Sequence, residues 1–166
     1  VALAGLVIEE VSGQTWEEFV KERILAPLGM VNTTLGEHLR GPDQPPLSQS
    51  YRVQGGVARR AFRIDLGAFA PAGSVASTAA DMARFLQFLL GDRAFGGSRL
   101  LQPETVERMH TRLFDDRPDA PDMAHGFQSR PKFGTTFYGH GGGWNEFRSN
   151  LVFVPEIGAG VFISQN

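Results

Sequence analysis

The chain has 166 residues and a mass of 18.1 kDa, with 42% hydrophobic, 20% charged and 10% aromatic residues, the composition of a soluble domain with a core of its own. A net charge of −2 and a pI of about 6.1 argue against nucleic acid as a partner, which would call for a basic face. The absence of cysteine excludes disulfides, thiolate metal sites and a cysteine nucleophile.

A helix is expected over residues 1–12. Leu3, Leu6, Val7, Ile8 and Val11 make it apolar nearly all round, and Gly13 stops it. Such a helix wants burial on several sides. Its apolar run, residues 1–8, is too short to cross a bilayer and leads into Glu9-Glu10 with no cleavage pattern. Because the chain also starts on Val1, we expect a piece of a longer protein. Thr15 and Glu18 then fit a capping box. Trp16, Phe19, Val20 and Ile24 follow with helical spacing, ended by Pro27 and Gly29.

From Met30 to Ala72, prolines and glycines suggest loops and short hairpins, with strands at 51–53 and 57–64. The small basic cluster Arg59, Arg60 and Arg63 around Phe62 is expected to be a solvated edge. Ser77 or Thr78 caps a further helix, with Asp81 in its first turn. Met82, Phe85, Leu86 and Leu89 form its buried face, and Gly91 ends it. Pro103 opens another helix that turns Val106 and Met109 inward. Residues 115–122 are a polar, proline-broken loop without the pattern of a calcium site. Residues 135–140 form a strand leading into Gly141-Gly142-Gly143, and strands at 148–154 and 159–164 are joined by a turn at 155–158. Helices followed by a terminal antiparallel set make the chain α+β, as one domain.

The feature with most chemistry is Gly139-His140-Gly141-Gly142-Gly143. Glycines at a strand mouth let a ligand approach the backbone and leave N–H groups free to donate to a developing oxyanion. His140 beside them can donate a hydrogen bond or move a proton. The same letters also suit a glycine-rich turn with a surface histidine. His-Gly-Gly-Gly is the oxyanion motif of α/β-hydrolase lipases, but no G-x-S-x-G nucleophile elbow occurs here, and that assignment fails. His38 and His110 have no partners at metal-ligand spacing. His125 suits a structural strand.

Residues 1–13 followed by 16–30, ending IEEVSGQTWEEFVKERILAPLGM, resemble the helix pair and "PLGM" turn of the serine β-lactamase-related family, which includes class C β-lactamases, D-alanyl-D-alanine peptidases and related esterases. Asn32-Thr33-Thr34, which is also a formal glycosylation sequon, continues the match. Pro71-Ala72-Gly73-Ser74 with residues 77–85 is similar to that family's "AGG…STAxDMARF" segment, and Leu100 to Val106 resembles its "LLSPETV". The ending, from Gly139 through Pro155 to Asn166, resembles "GHTGG…FSS…VDPE.G.GVVVLTN".

The resemblance implies part of a β-lactamase/penicillin-binding-protein-like domain, with helices packed on a terminal antiparallel sheet. It also implies acyl transfer through an active-site serine. His140-Gly141-Gly142 matches the family's third box, [K/H]-x-G, so the resemblance has His140 lining the substrate cleft and the Gly143 N–H completing an oxyanion hole. Trp144, with Phe147, would form an apolar lip or cover the sheet edge, and Tyr51 would point toward the cleft. The family's S-x-x-K and Y-x-N-type boxes lie upstream of a segment that begins like Val1. Tyr51 is followed by Arg52-Val53 and Tyr138 by Gly139-His140, so no Y-x-N stands here.

The expectation is therefore a single partial domain over residues 1–166, inactive alone, whose partner is the missing N-terminal part. The substrate would be a small molecule or peptide: a β-lactam, a D-alanyl peptide or an ester. His140 in place of lysine makes esterase or peptidase at least as good a fit as a β-lactamase. Neither cofactor nor metal is expected, and the family analogy suggests a periplasmic or secreted protein. A non-catalytic binding module and a structural half-domain remain the alternatives.

Overall fold

The computed structural model describes residues 1–35, 47–62, 66–91, 100–114 and 122–166. His38, Arg63 and most of the expected loop at 115–122 lie outside them. Helix α1 (Ala2–Ser12) ends on Gly13 at φ 71°, and α2 (Trp16–Val20) runs on as a π-helical turn, Lys21–Leu25. The capping box forms as expected: the Thr15 N–H donates to Glu18 Oε2 at 3.0 Å, and the Glu18 N–H to Thr15 Oγ1 at 3.2 Å. A short hairpin, β1 (Tyr51–Gln54) with β2 (Val57–Arg60), is followed by a 3-10 segment, Gly67–Ala72. Helices α3 (Ala79–Leu89) and α4 (Pro103–Met109) precede a four-stranded antiparallel sheet. Its strands, in spatial as in chain order, are β3 (Gln128–Lys132), β4 (Thr135–Trp144), β5 (Phe147–Val154) and β6 (Ala159–Gln165).

Directly opposite residues in neighbouring strands share a face, so Tyr138, Phe153 and Gly160 lie on one side, as do His140, Leu151 and Phe162. This is the side α3 covers, since a Cβ on Gly160 would come within 2.9 Å of Leu86. Leu86, Leu89, Phe127, Leu151 and Phe153 form the core there, with Phe153 fully buried. Phe153 meets Phe127 edge-on at 5.1 Å, Tyr138 stacked at 5.8 Å and His110 at 5.5 Å between centroids. On its other side α3 lends Met82, Phe85 and Phe88 to a second cluster around Leu25, Leu28 and Met30.

Several expectations change. Thr78, not Ser77, caps α3, its Oγ1 accepting from the Asp81 N–H at 3.2 Å. Asp81 does more than complement the helix dipole. Almost fully buried, it accepts from the Asn32 N–H and from Thr33 Oγ1, both at 2.8 Å, and so ties the turn after Met30 to α3. The expected strand at 57–64 stops at Arg60. Among the described residues α1 is not covered on several sides: Leu3, Leu6, Val7 and Val11 are exposed. The helix docks through Gly5, where a Cβ would come within 2.6 Å of the Pro71 ring. The structural strand expected around His125 runs instead over Gln128–Lys132 as β3.

His110, at the end of α4, packs against the rings of Tyr138 and Phe153 with a buried, unpartnered Nε2. Burial pushes its pKa below the ordinary imidazole value of 6.5. The unfolded chain therefore takes up the proton first as pH falls. The stabilising contribution of neutral His110 is complete above pH 6.5 and is lost as pH falls toward its folded pKa. The urea midpoint of the intact protein should thus drop more between pH 8 and pH 5 than that of His110→Phe. Equal drops in the two proteins would rule this contribution out.

Candidate active site

The glycines lie in a strand, as the resemblance implies and against the alternative of a glycine-rich turn. Strand β4 continues through Trp144, and the reversal falls at Asn145-Glu146, with φ 48° and 67°. Phe133-Gly134 makes the same kind of turn between β3 and β4, with φ 56° and 78°. Positive φ at both central residues marks type I′, the two-residue turn whose twist suits a hairpin.

The register decides where each backbone group of β4 points. Alternate residues of an antiparallel strand bond to opposite neighbours. The Ser129 N–H donates to the Asp122 carbonyl at 2.9 Å, away from β4. Ser129 and its opposite number Tyr138 are thus a non-hydrogen-bonded pair, and Tyr138 turns its N–H and C=O toward β5. His140, Gly142 and Trp144 follow Tyr138, while Gly139, Gly141 and Gly143 face the β3 side. The two-residue turns agree, because they close on the hydrogen-bonded pairs Lys132–Thr135 and Trp144–Phe147.

Strand β3 starts at Gln128, opposite Gly139. Beyond that pair, the N–H groups of Gly141 and Gly143 face an edge that has no strand beside it among the described residues. They are spaced by two strand residues, about 6.7 Å. These donors are fixed by the ladder to β5 before any ligand arrives, the condition under which backbone N–H groups stabilise developing negative charge most effectively.

His140 projects from the helix-side face, opposite buried Leu151, yet is itself exposed. The core ends there because the next positions on that face are small: Gly142, Ser149 and Ser164. Trp144, 42% exposed, and its opposite number Phe147 lie farther along the same face. On the other face the side-chain position of Gly143 is crowded from β5, while that of Gly141 meets only ordinary contact distances. A Cβ on Gly141 would lie 4.0 Å from Asn150 Oδ1, and one on Gly143 would lie 3.3 Å from Arg148 Cδ.

Tyr51 is exposed on β1. Its neighbour Arg52 does reach the site. The Arg52 guanidinium grips the Glu146 carboxylate in the β4–β5 turn, with Nε at 3.1 Å. That hydrogen bond, aided by the charges of Arg52 and Arg148, holds the Glu146 carboxyl below its usual pKa. Asn166 Nδ2 adds a second tie, donating to the Gln49 carbonyl at 2.5 Å. Arg52, Glu146 and Arg148 were not singled out in the sequence.

Ser129-Arg130-Pro131-Lys132 spells S-x-x-K, against the expectation that this box lies wholly outside the chain. It is not a nucleophile box here. Residues three apart on a strand face opposite sides. Ser129 is fully buried with an unpartnered Oγ, whereas Lys132 is exposed with its Nζ 4.8 Å from the Phe133 ring centroid. The amine cannot take the serine proton. Among the described residues no cluster of histidine and carboxylate groups could hold a metal ion.

The whole of residues 1–166 matches the Beta-lactamase family. Protein Rv1367c of Mycobacterium tuberculosis (strain ATCC 25618 / H37Rv) is 29% identical over 140 residues, covering 79% of this chain and 33% of that protein. Among solved structures, the octameric penicillin-binding protein homologue from Pyrococcus abyssi superposes with a TM-score of 0.79 at 22% identity, covering 98% of this chain and 36% of the other. A D-stereospecific amidohydrolase from Streptomyces sp. gives 0.73 at 25% identity, over 96% and 46% respectively. The chain spans between 20% and 33% of the curated relatives it matches.

Proposed function

The chain belongs to the Beta-lactamase family, and on that premise we propose that it is the C-terminal part of a serine hydrolase cleaving an amide or ester through an acyl-enzyme. The observation that carries this reading is the edge of β4, bare among the described residues, where the Gly141 and Gly143 N–H groups face outward in a fixed ladder. In the proposed reaction a serine outside residues 1–166 adds its Oγ to the substrate carbonyl. The Gly143 N–H donates to the oxygen that gains the negative charge, and the Gly141 N–H and C=O pair with the substrate backbone as an added strand. His140 donates to the substrate from the helix-side face, Gly142 spaces the two donors, and Trp144 forms an apolar lip. Tyr51 lines the far wall carried by the β1–β2 hairpin. The leaving amine or alcohol departs with a proton, and water then releases the acid.

The substrate class is an amide or ester of small-molecule or peptide size, and D-amino acid amides are the first to test, given the likeness to the Streptomyces amidohydrolase. The test is to treat the intact protein with a D-amino acid amide, an activated ester and a β-lactam, and to look for a covalent adduct by mass spectrometry. The expected result is one acyl adduct on a serine outside residues 1–166. An adduct on Ser129, or turnover with no trappable adduct, would sink the assignment. No reaction at all would leave a binding module.

A further inference from the structure

We infer that Arg52 is a positioning residue: through Glu146 it holds the β1–β2 hairpin against the β4–β5 turn and so sets one wall of the substrate edge. The inference rests on the proposed reading of the β4 edge as the acyl-transfer site, and adds to it a residue 94 positions away from that turn. Every residue of β1 and β2 is exposed. A two-stranded hairpin with no buried face is marginal in water by itself, so polar ties decide where it stands. At its root the carbonyl of buried Ser50 accepts from the Ala61 N–H at 2.9 Å, and Asn166 Nδ2, just past β6, donates to the Gln49 carbonyl. Farther out, Arg52 spans to the site, with Nε and Nη2 both donating to Glu146 Oε1.

Glu146 is placed to receive that cation. It takes the second central position of the turn, at φ 67°, which glycine would suit better. What glutamate adds there is a carboxylate, an anchor for the hairpin two residues beyond Trp144. Arg59 stands opposite Arg52 in the hairpin, and the charge of Arg148 also acts on Glu146. Without the Glu146 charge, Arg52 would face like charges, whereas without Arg52 the carboxylate would still have Arg148. Losing the carboxylate should therefore loosen the hairpin more than losing the guanidinium. The backbone of Gly143, by contrast, is fixed by the ladder between β4 and β5. A loosened hairpin should weaken substrate capture and leave the acyl-transfer step nearly unchanged. The Arg52 side chain is 61% exposed, which sets the tie at the strength of a solvent-screened pair.

The test uses the intact protein and the methyl ester of N-acetyl-D-phenylalanine, an uncharged probe that offers Arg52 no ion pair of its own. In Arg52→Gln and Glu146→Gln, KM should rise about two- to fivefold, the size of an exposed ion pair, with kcat changed less than about twofold. Arg52→Lys should keep part of the wild-type behaviour. Added salt should raise the wild-type KM toward that of the variants and leave theirs flat. Glu146→Gly suits the turn but lacks the carboxylate, so it should behave as Glu146→Gln does. A wild-type KM in Glu146→Gly would assign the effect to the turn and overturn the inference. Hydrogen exchange read by mass spectrometry should show the amides of residues 51–60 exchanging about two- to fivefold faster in the variants, with β5 unchanged. Melting curves would check that each variant is folded. Unchanged hairpin exchange or an unchanged KM in folded Arg52→Gln would each overturn the inference. If the wild type forms no acyl adduct, the reading of the edge falls and the role in KM with it, while exchange still shows whether Arg52 holds the hairpin.

Discussion

Replacing Gly143 by proline in the intact protein is expected to lower kcat by roughly 10²- to 10³-fold, the loss typical of removing one oxyanion donor. Proline is informative here because of the register. The N–H of residue 143 faces away from β5, so deleting it removes no ladder bond. Pro131 already shows that the sheet accepts a proline at such a position, opposite Thr136 in β3. Gly143→Ala is the control: it keeps the N–H but adds a Cβ within 3.3 Å of the flexible Arg148 side chain. It should leave kcat within a few-fold of wild type. If both variants lose activity equally, crowding rather than the lost donor is responsible, and the assignment of Gly143 fails.

Phe153→Ala is expected to cost about 3–5 kcal/mol of unfolding free energy, the range for deleting a buried aromatic ring. Phe153 has no exposed surface and touches three rings drawn from three parts of the chain: Phe127, Tyr138 and His110. The cavity would open between the sheet and α4, directly behind the strand that carries His140. A denaturant titration of the intact protein would measure the loss, and Phe153→Leu should recover much of it. A cost below about 1 kcal/mol for the alanine variant would mean that the cluster repacks around the gap.

Local signals in the sequence were the most reliable. The capping box of Thr15 and Glu18 is written in two residues three positions apart, and it forms as expected. The apolar face of α3 was equally plain, whereas its cap was narrowed only to Ser77 or Thr78. Strand β3 was misplaced because Gln128-Ser129-Arg130-Pro131-Lys132 has no apolar alternation and contains a proline. Which side of the ladder a proline N faces depends on pairing and cannot be read locally. The glycines of β4 left a turn open as the alternative to a strand, because glycine weakens strands in general. They remain in a strand paired to Asn150, Ser149 and Arg148 of β5, with Ser149 and Arg148 close to the space that Gly142 and Gly143 leave. The signal for Arg148 was present: a two-residue turn at Asn145-Glu146 places residue 148 opposite 143. Asp81 shows the other limit. Its first-turn position was legible, but its partners Asn32 and Thr33 lie 49 and 48 residues away in sequence. The apolar face of α1 was legible too, although the described residues show no cover for it.

Arg148 across Gly143 separates two kinds of inheritance. The backbone donors belong to a strand whose glycines carry no side chains, while the groups beside them belong to the neighbouring strand. A lineage can therefore exchange residues 148 and 150 and try new substrates one mutation at a time, without moving the donors that any acyl transfer at this edge would use. Variation among close homologues should accordingly gather on β5 and at the tip of the β1–β2 hairpin, and stay low along the glycines of β4.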